Sequence, residues 1–174
     1  MGYPAATQPI PMGVVAQLVA QLPLGAQLQL EVVSDSMRPL LRAGDSVLVE
    51  RVGPMAVQVG DIIVVHDPAT LAQPRTHRLL ARSATHLYTR GDACVQSDPP
   101  LATAALLGRV QAILRPTHAP FAEPRWLRHA QLALSRLDAA ALRLGVVSAG
   151  VRGLTQQVRR GLIRLAGWQA RSHR

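Results

Sequence analysis

The sequence predicts a mainly β protein: a small antiparallel β domain with a short N-terminal helix and a C-terminal basic helical hairpin. Short apolar runs with period-two alternation, separated by Gly, Pro and Asp turn signals, fill the middle of the chain. A proline-rich stretch follows them, and beyond it the apolar period becomes helical. At 174 residues the chain has room for one domain and an appendage.

We expect four segments along the chain. They are an N-terminal arm and short helix (1–27), the β domain (28–115), a proline-rich linker (116–124) and a basic amphipathic helical tail (125–174). Apolar residues at helical spacing over 12–22 predict the short helix.

Alternating or continuous apolar runs place the strands of the β domain. We expect strands at about 28–32, 45–52, 62–66, 75–82, 86–89 and 108–114, with one helical turn over 103–107. In the tail, two helical stripes start at Leu127 and at Val151, and Gly145 to Gly153 is the expected bend between them.

Charge is unevenly distributed along the chain. Residues 116–174 contain ten arginines and two acids, whereas residues 1–115 contain nine arginines and eight acids, so the tail carries most of the net charge of +9. Apolar stripes among arginines favour docking on the chain's own β domain, on a protein partner or on an anionic membrane surface. With two tryptophans and no recognition motif, the tail does not read as a nucleic-acid binder.

Several site types are not indicated by the sequence. The single Cys94 excludes an internal disulfide, and no Cys/His spacing or glycine-rich loop indicates a metal or a phosphate cofactor. Residues 12–30 come nearest to a membrane span but contain four glutamines and a proline, and the N-terminus lacks a signal-peptide pattern. We therefore expect no cofactor and no metal, and a cytoplasmic or peripheral membrane location.

The segment around Ser36 is the candidate centre of chemistry. Ser34 and Ser36 precede Met37, and Pro39 disfavours helix at the residue before it, so the serines lie in a loop or at a strand end. A serine nucleophile needs a base. The chain contains no lysine, since all 19 Lys+Arg residues are arginine, which leaves histidine.

Five ordered motifs resemble the type I signal peptidase superfamily, over residues 28–115. They are Ser-Asp-Ser-Met-Arg-Pro at 34–39, Gly-Asp at 44–45, Val-Gly-Asp at 59–61, Thr-His-Arg-Leu-Leu at 76–80 and Tyr-Thr-Arg-Gly-Asp at 88–92. The chain is similar to the branch with a Ser–His pair in place of Ser–Lys. The resemblance implies a signal-peptidase/LexA-like β fold. Membrane-embedded relatives carry a spanning helix before the serine box, and this chain departs from them there.

The resemblance also implies roles for individual residues. Ser36 would be the nucleophile, His77 the general base, and Ser34 would help the backbone hold the oxyanion. Asp98 is the favoured partner of His77 and Asp92 the favoured support of the site's loop, but the sequence also allows the reverse, or a dyad in which both acids are structural.

Other histidines and other functions remain open at this point. His66 and His86 compete with His77 as base, while His118 and His129 belong to the linker and the tail. The leading hypothesis is a serine endopeptidase that cleaves a leader or signal-type segment from a precursor peptide. The alternatives are self-cleavage as in LexA-like repressors, disfavoured because no Ala-Gly or Cys-Gly bond precedes Ser36, and a non-catalytic binding module that acts through its basic tail.

Overall fold

One antiparallel sheet organises the protein. A computed structural model of the chain describes residues 18, 19, 21–66, 74–115, 118–143 and 149–172. The strands are β1 (Gln27–Glu31), β2 (Ser46–Glu50), β3 (Ile62–Val65), β4 (Arg75–Arg82), β5 (His86–Arg90), β6 (Leu101–Ala102), β7 (Leu106–Arg115) and β8 (His118–Phe121). Their order across the sheet is β1-β2-β7-β3-β4-β5-β6, and β8 also pairs with β7.

The long strand β7 pairs with three other strands, β2, β3 and β8. Along one edge, its residues 109–114 pair with β2, from Ser46↔Leu114 to Glu50↔Arg109. Along the other edge it pairs first with β3, at Ile63↔Arg109, and then with β8, at Ile113↔Phe121. Thus β8 takes the place beside β7 that the shorter strand β3 leaves free.

Two apolar clusters form the core. One combines the sheet residues Val47, Val49 and Val64 with Met37 and Leu41 from the loop after the candidate serine. The other contains Ile63, Leu79 and Leu87 among its members. Because Met37 is only 1% exposed, the chain on either side of it is held against the sheet.

The mainly β, antiparallel fold predicted from the sequence is confirmed. Strand β4 has the expected bounds, and β1, β2, β3, β5 and β7 overlap the expected runs. Strands β6 and β8 were not predicted. Strand β8 lies inside the range 116–124 assigned to a linker, and it includes Pro120, which an edge strand tolerates because it donates no hydrogen bond there. The turn expected at 103–107 is a 3₁₀ turn over Thr103–Ala105.

Helical segments precede and follow the sheet along the chain. Of the helix predicted over 12–22, residues 12–17 and 20 lie outside the described residues, while 18, 19 and 21 are helical. In the tail, α1 (Arg125–Arg143) and α2 (Ala149–Ser172) pack against each other, and α1 also contacts β4. Part of the expected bend, residues 144–148, lies outside the described residues. No helix in the described part of the chain is long and apolar enough to cross a membrane.

Candidate active site

Ser36 lies in the loop over 32–45 that joins β1 to β2, at the border of the core. The next residue, Met37, inserts into the core, and its carbonyl accepts hydrogen bonds from the N–H groups of Leu40 and Leu41. Ser36 itself is half-buried, and its Oγ lies 3.0 Å from Nε2 of His77. The buried methionine thus fixes the backbone that carries the hydroxyl, while Ser36 itself is only half-buried.

His77 stands in β4, opposite Ile63 of β3 in the sheet register. Its side chain is 8% exposed, and its two ring nitrogens have different partners. Nε2 faces Ser36, and Nδ1 lies 2.6 Å from Oδ2 of Asp98. The imidazole ring therefore spans the serine and the carboxylate, as in a serine–histidine–acid triad.

Asp98 is held on three sides. Its backbone N–H donates to the carbonyl of Thr89, and the Thr89 hydroxyl donates to Oδ2 at 2.5 Å. Nη1 of Arg75 lies 3.4 Å from Oδ1. Burial raises the pKa of this carboxyl, but the hydrogen bonds from His77 and Thr89, together with the charges of His77 and Arg75, outweigh it, and the pKa of Asp98 falls below its ordinary value.

The ionised carboxylate of Asp98 decides which tautomer of His77 suits the site. A carboxylate only accepts hydrogen bonds, so Nδ1 of His77 must carry the proton and donate it. In the neutral ring Nε2 is then an acceptor, and the hydroxyl of Ser36 donates to it. The arrangement presents a serine hydroxyl to a base that is ready to take its proton.

Gly91 allows the loop after β5 to touch both catalytic candidates. A Cβ at this position would lie 2.6 Å from the carbonyl oxygen of Ser36 and 3.1 Å from Nε2 of His77. Two residues on, the N–H of Ala93 donates to the carbonyl of Ser36 at 2.8 Å. This close backbone contact, which only glycine permits, ties the serine turn to the loop.

Ser34 lies on the solvent side of Ser36. It is exposed, and its Oγ lies 3.2 Å from Oγ of Ser36. Because the Ser36 hydroxyl donates to His77, Ser34 is the natural donor in this contact.

Asp92 forms an ion pair with Arg78 and not with His77. It is 2% exposed and accepts two hydrogen bonds from Arg78, at 2.9 and 2.7 Å. Burial raises the pKa of Asp92, but Arg78, Arg159 and Arg90 outweigh it and lower the pKa below its ordinary value. Asp98 rather than Asp92 therefore receives the imidazole hydrogen bond.

Helix α2 reaches the back of the same loop. Nη1 of Arg159 lies 3.3 Å from Oδ1 of Asp92, and the amide of Gln156 donates to the Asp92 carbonyl at 3.1 Å. Arg159 is fully buried and also bonds to α1, through Gln131 and Ser135. The C-terminal helices are thus packed on the β domain through buried arginines, behind the loop that contacts Ser36 and His77.

The competing histidines lie elsewhere in the described structure. His66 is buried just after β3, and its Nε2 has no hydrogen-bond partner among the described residues. His86 is exposed at the start of β5 and bonds to the neighbouring Thr85 hydroxyl. His129 is exposed on α1, and the side chain of His118 lies outside what the structure describes. Among the described residues, only His77 hydrogen-bonds to Ser36.

Three residues that support this site, Thr89, Arg75 and Arg159, were not predicted from the sequence. The position of Thr89 could have been predicted from the sequence. It lies two residues before Gly91 in the Tyr-Thr-Arg-Gly-Asp motif, and strand alternation turns its side chain inward. Arg75 begins the same strand as His77, two residues before it. Arg159 had no such signal, since its contacts depend on how a helix far along the chain packs.

Comparison with known proteins adds no assignment. No family model matches the sequence, and no curated protein is significantly similar to it.

Proposed function

We propose that the protein is a serine endopeptidase of the signal peptidase type, with a Ser36–His77–Asp98 catalytic triad. The observation that carries the proposal is the unbroken chain of hydrogen bonds from Ser36 Oγ through His77 to Asp98, at 3.0 and 2.6 Å. These residues come from three separate parts of the sequence, and two of them fall in motifs that resemble that family.

Acylation begins when Ser36 Oγ attacks the carbonyl carbon of the scissile peptide. His77 Nε2 takes the hydroxyl proton, and Asp98 stabilises the resulting imidazolium without itself accepting the proton. The carbonyl oxygen becomes an oxyanion, which the backbone N–H of Ser36 and the hydroxyl of Ser34 would stabilise, as the resemblance to the family implies. One such donor lowers the barrier by about 3 kcal/mol.

The intermediate then collapses, and the C–N bond breaks. His77 gives its proton to the leaving amine, and the acyl group stays on Ser36 as an ester. A water molecule next gives a proton to His77 and attacks the ester carbon. The C–O bond to Ser36 breaks, the proton returns to the serine, and the carboxylate product leaves.

We also propose that the β domain has a signal-peptidase/LexA-like fold and that the substrate is a precursor peptide. The resemblance to the family implies removal of a leader or signal-type segment after a small residue. Half-buried Ser36, next to exposed Ser34 and Asp35, suits an extended peptide approaching from the solvent side. Self-cleavage at an upstream bond, and a silent module that works through its tail, are the competing functions that the experiment below addresses.

The experiment is labelling of the full chain by a fluorophosphonate probe, which reacts with serines that a neighbouring base activates. Wild type is compared with Ser36→Ala, with His77→Ala and with Ser34→Ala, which removes the proposed oxyanion donor. We expect labelling of wild type at one site, its loss in the first two variants, and its slowing by about 10²-fold or more in the third.

The outcomes separate the hypotheses. Labelling that survives Ser36→Ala, or that is unchanged by His77→Ala, contradicts the proposed triad. A protein that incorporates no probe at any pH is the result expected of a silent binding module. Intact mass after incubation of unlabelled protein detects self-cleavage, which the endopeptidase proposal does not require.

A further inference from the structure

Helix α2 has a second, outward face that the β domain does not cover. Its inner side is buried at Thr155, Arg159 and Ala166. About 100° further around the helix axis, Leu154 and Leu165 are 63% and 56% exposed, and Val158 is 41% exposed. On a surface helix of a globular protein, large apolar side chains ordinarily face the core, so three of them facing solvent need an explanation.

These three residues form one continuous stripe. At 3.6 residues per turn, positions 154, 158 and 165 fall within about 40° of one another around the helix axis. We call Leu154, Val158 and Leu165 the outer stripe. Glycine at position 161, also exposed, lies on the same line and leaves the stripe smooth.

Among the side chains of α2 that the structure describes, the exposed charges are all positive. Arg160 and Arg164 are exposed along one side of the outer stripe. The acid of the two helices is Asp138, which faces inward and bonds to Arg159 at 3.2 Å. The outward side of α1 repeats the pattern, since Trp126 and Leu137 are exposed together with Arg125 and Arg136.

We propose that the outer stripe of α2 docks the protein on an anionic phospholipid membrane surface. The leucines and valine would enter the boundary between headgroups and acyl chains, and the arginines would contact the lipid phosphates. The charge pattern selects this occupant. A nucleic acid would leave the apolar stripe uncovered, and a second copy of the same face would bring arginine against arginine.

The test is flotation of the full-length chain with lipid vesicles of two compositions, neutral phosphatidylcholine and phosphatidylcholine with phosphatidylglycerol. We expect flotation with the anionic vesicles, little with the neutral ones, and weaker binding at high salt because the charges are exposed. The paired change Leu154→Ser and Leu165→Ser should lower partitioning by at least about tenfold. Arg160→Gln and Arg164→Gln should each lower it by about fivefold.

Matched controls come from elsewhere on the surface. Leu24 is 69% exposed and lies outside the helices, so Leu24→Ser removes an equally exposed leucine. Arg42 is also exposed, and Arg42→Gln removes the same charge. Both controls should bind vesicles as wild type does, and circular dichroism checks that all variants keep the fold.

Three results would overturn the proposal: no flotation with anionic vesicles, equal binding to both compositions, or stripe variants that bind like the controls. A dimer in solution that the leucine variants dissolve would assign the stripe to a second copy. Retention by an acidic protein without vesicle binding would assign it to a protein partner. Vesicle binding needs no active serine, so Ser36→Ala should float like wild type, and the outcome is independent of the proposed peptidase activity.

Discussion

Replacing Asp98 by asparagine isolates the contribution of one carboxylate to the proposed chemistry. The substitution keeps the size of the side chain but removes the charge 2.6 Å from Nδ1 of His77. It also replaces one acceptor by a donor. If the new NH₂ group faces the ring, Nδ1 must become the acceptor, and the proton moves to Nε2, where it opposes the hydroxyl of Ser36.

The magnitude follows from the geometry. With the imidazolium and carboxylate centres about 4 Å apart and an effective dielectric constant of about 20, the lost attraction is about 4 kcal/mol. A barrier higher by that amount slows reaction about 10³-fold. The wrong tautomer adds to this, and in serine hydrolases the same substitution costs about 10⁴-fold. We therefore expect serine labelling to slow by about 10³- to 10⁴-fold.

The assay is the second-order rate constant for fluorophosphonate labelling, measured at neutral pH for wild type and Asp98→Asn. Asp35→Asn is the matched control, because Asp35 is adjacent to Ser36 but pairs with Arg38 at the surface. We expect the control to stay within about threefold of wild type, as exposed ion pairs contribute little. Labelling of Asp98→Asn within about threefold of wild type, in a folded protein, would refute the triad and leave a Ser36–His77 dyad.

Three further predictions test the surroundings of the site. Gly91→Ala should destabilise the protein by about 1–3 kcal/mol in urea unfolding and slow labelling, because its Cβ would collide with the Ser36 carbonyl; unchanged stability and labelling would contradict this close approach. Arg159→Met should cost about 3 kcal/mol, since it breaks a buried ion pair with Asp92, and a change below about 0.5 kcal/mol would place the arginine outside the core. Because its pKa is lowered in the fold, Asp98 stabilises the protein above the ordinary carboxyl pKa of ~3.9, and this contribution is lost as pH falls through the folded pKa. The stability gap between wild type and Asp98→Asn should therefore be widest near neutral pH and shrink in acid, and a gap independent of pH would be inconsistent with an ionised Asp98.

The strands were predictable where turn signals bound a run of residues. β4 lies between Pro74 and the Ser-Ala-Thr turn at 83–85, and these two breaks predict its bounds. β6 has only two residues, and β8 contains a proline, so neither has a pattern that distinguishes it from a loop. Both strands exist because a neighbouring strand offers an open edge, which is a property of the folded sheet.

The candidate site was predictable in its composition but not in its pairing. Ordered motifs brought forward Ser36, His77 and Asp92, and the family resemblance added Asp98 as the favoured partner of His77 without excluding the reverse. The choice depends on how the chain turns after β5: the N–H of Asp98 returns to the Thr89 carbonyl and turns its carboxylate toward the imidazole. A turn across nine residues has no local signature, so Asp98 was favoured only through the family resemblance, and the reverse assignment stayed possible.

Arginine, rather than basic charge in general, is what the interior of this protein requires. Arg78 is fully buried and makes hydrogen bonds to both oxygens of Asp92, both oxygens of Glu123 and the Gly60 carbonyl. The ammonium group of a lysine has three donors on one nitrogen and could not reach two carboxylates in this forked manner.

A buried charged cluster connects a helix at the end of the chain to a serine near its start. Its members are Arg78, Asp92, Glu123 and Arg159. Burial lowers the pKa of Arg78, but Asp92 and Glu123 outweigh it and raise the pKa above the ordinary value, so the guanidinium keeps its charge. Arg159 supplies the second cation beside Asp92 from α2. Since Asp92 follows Gly91, which touches both Ser36 and His77, the inward arginines position the site, while the arginines along the outer stripe stay free to meet a surface.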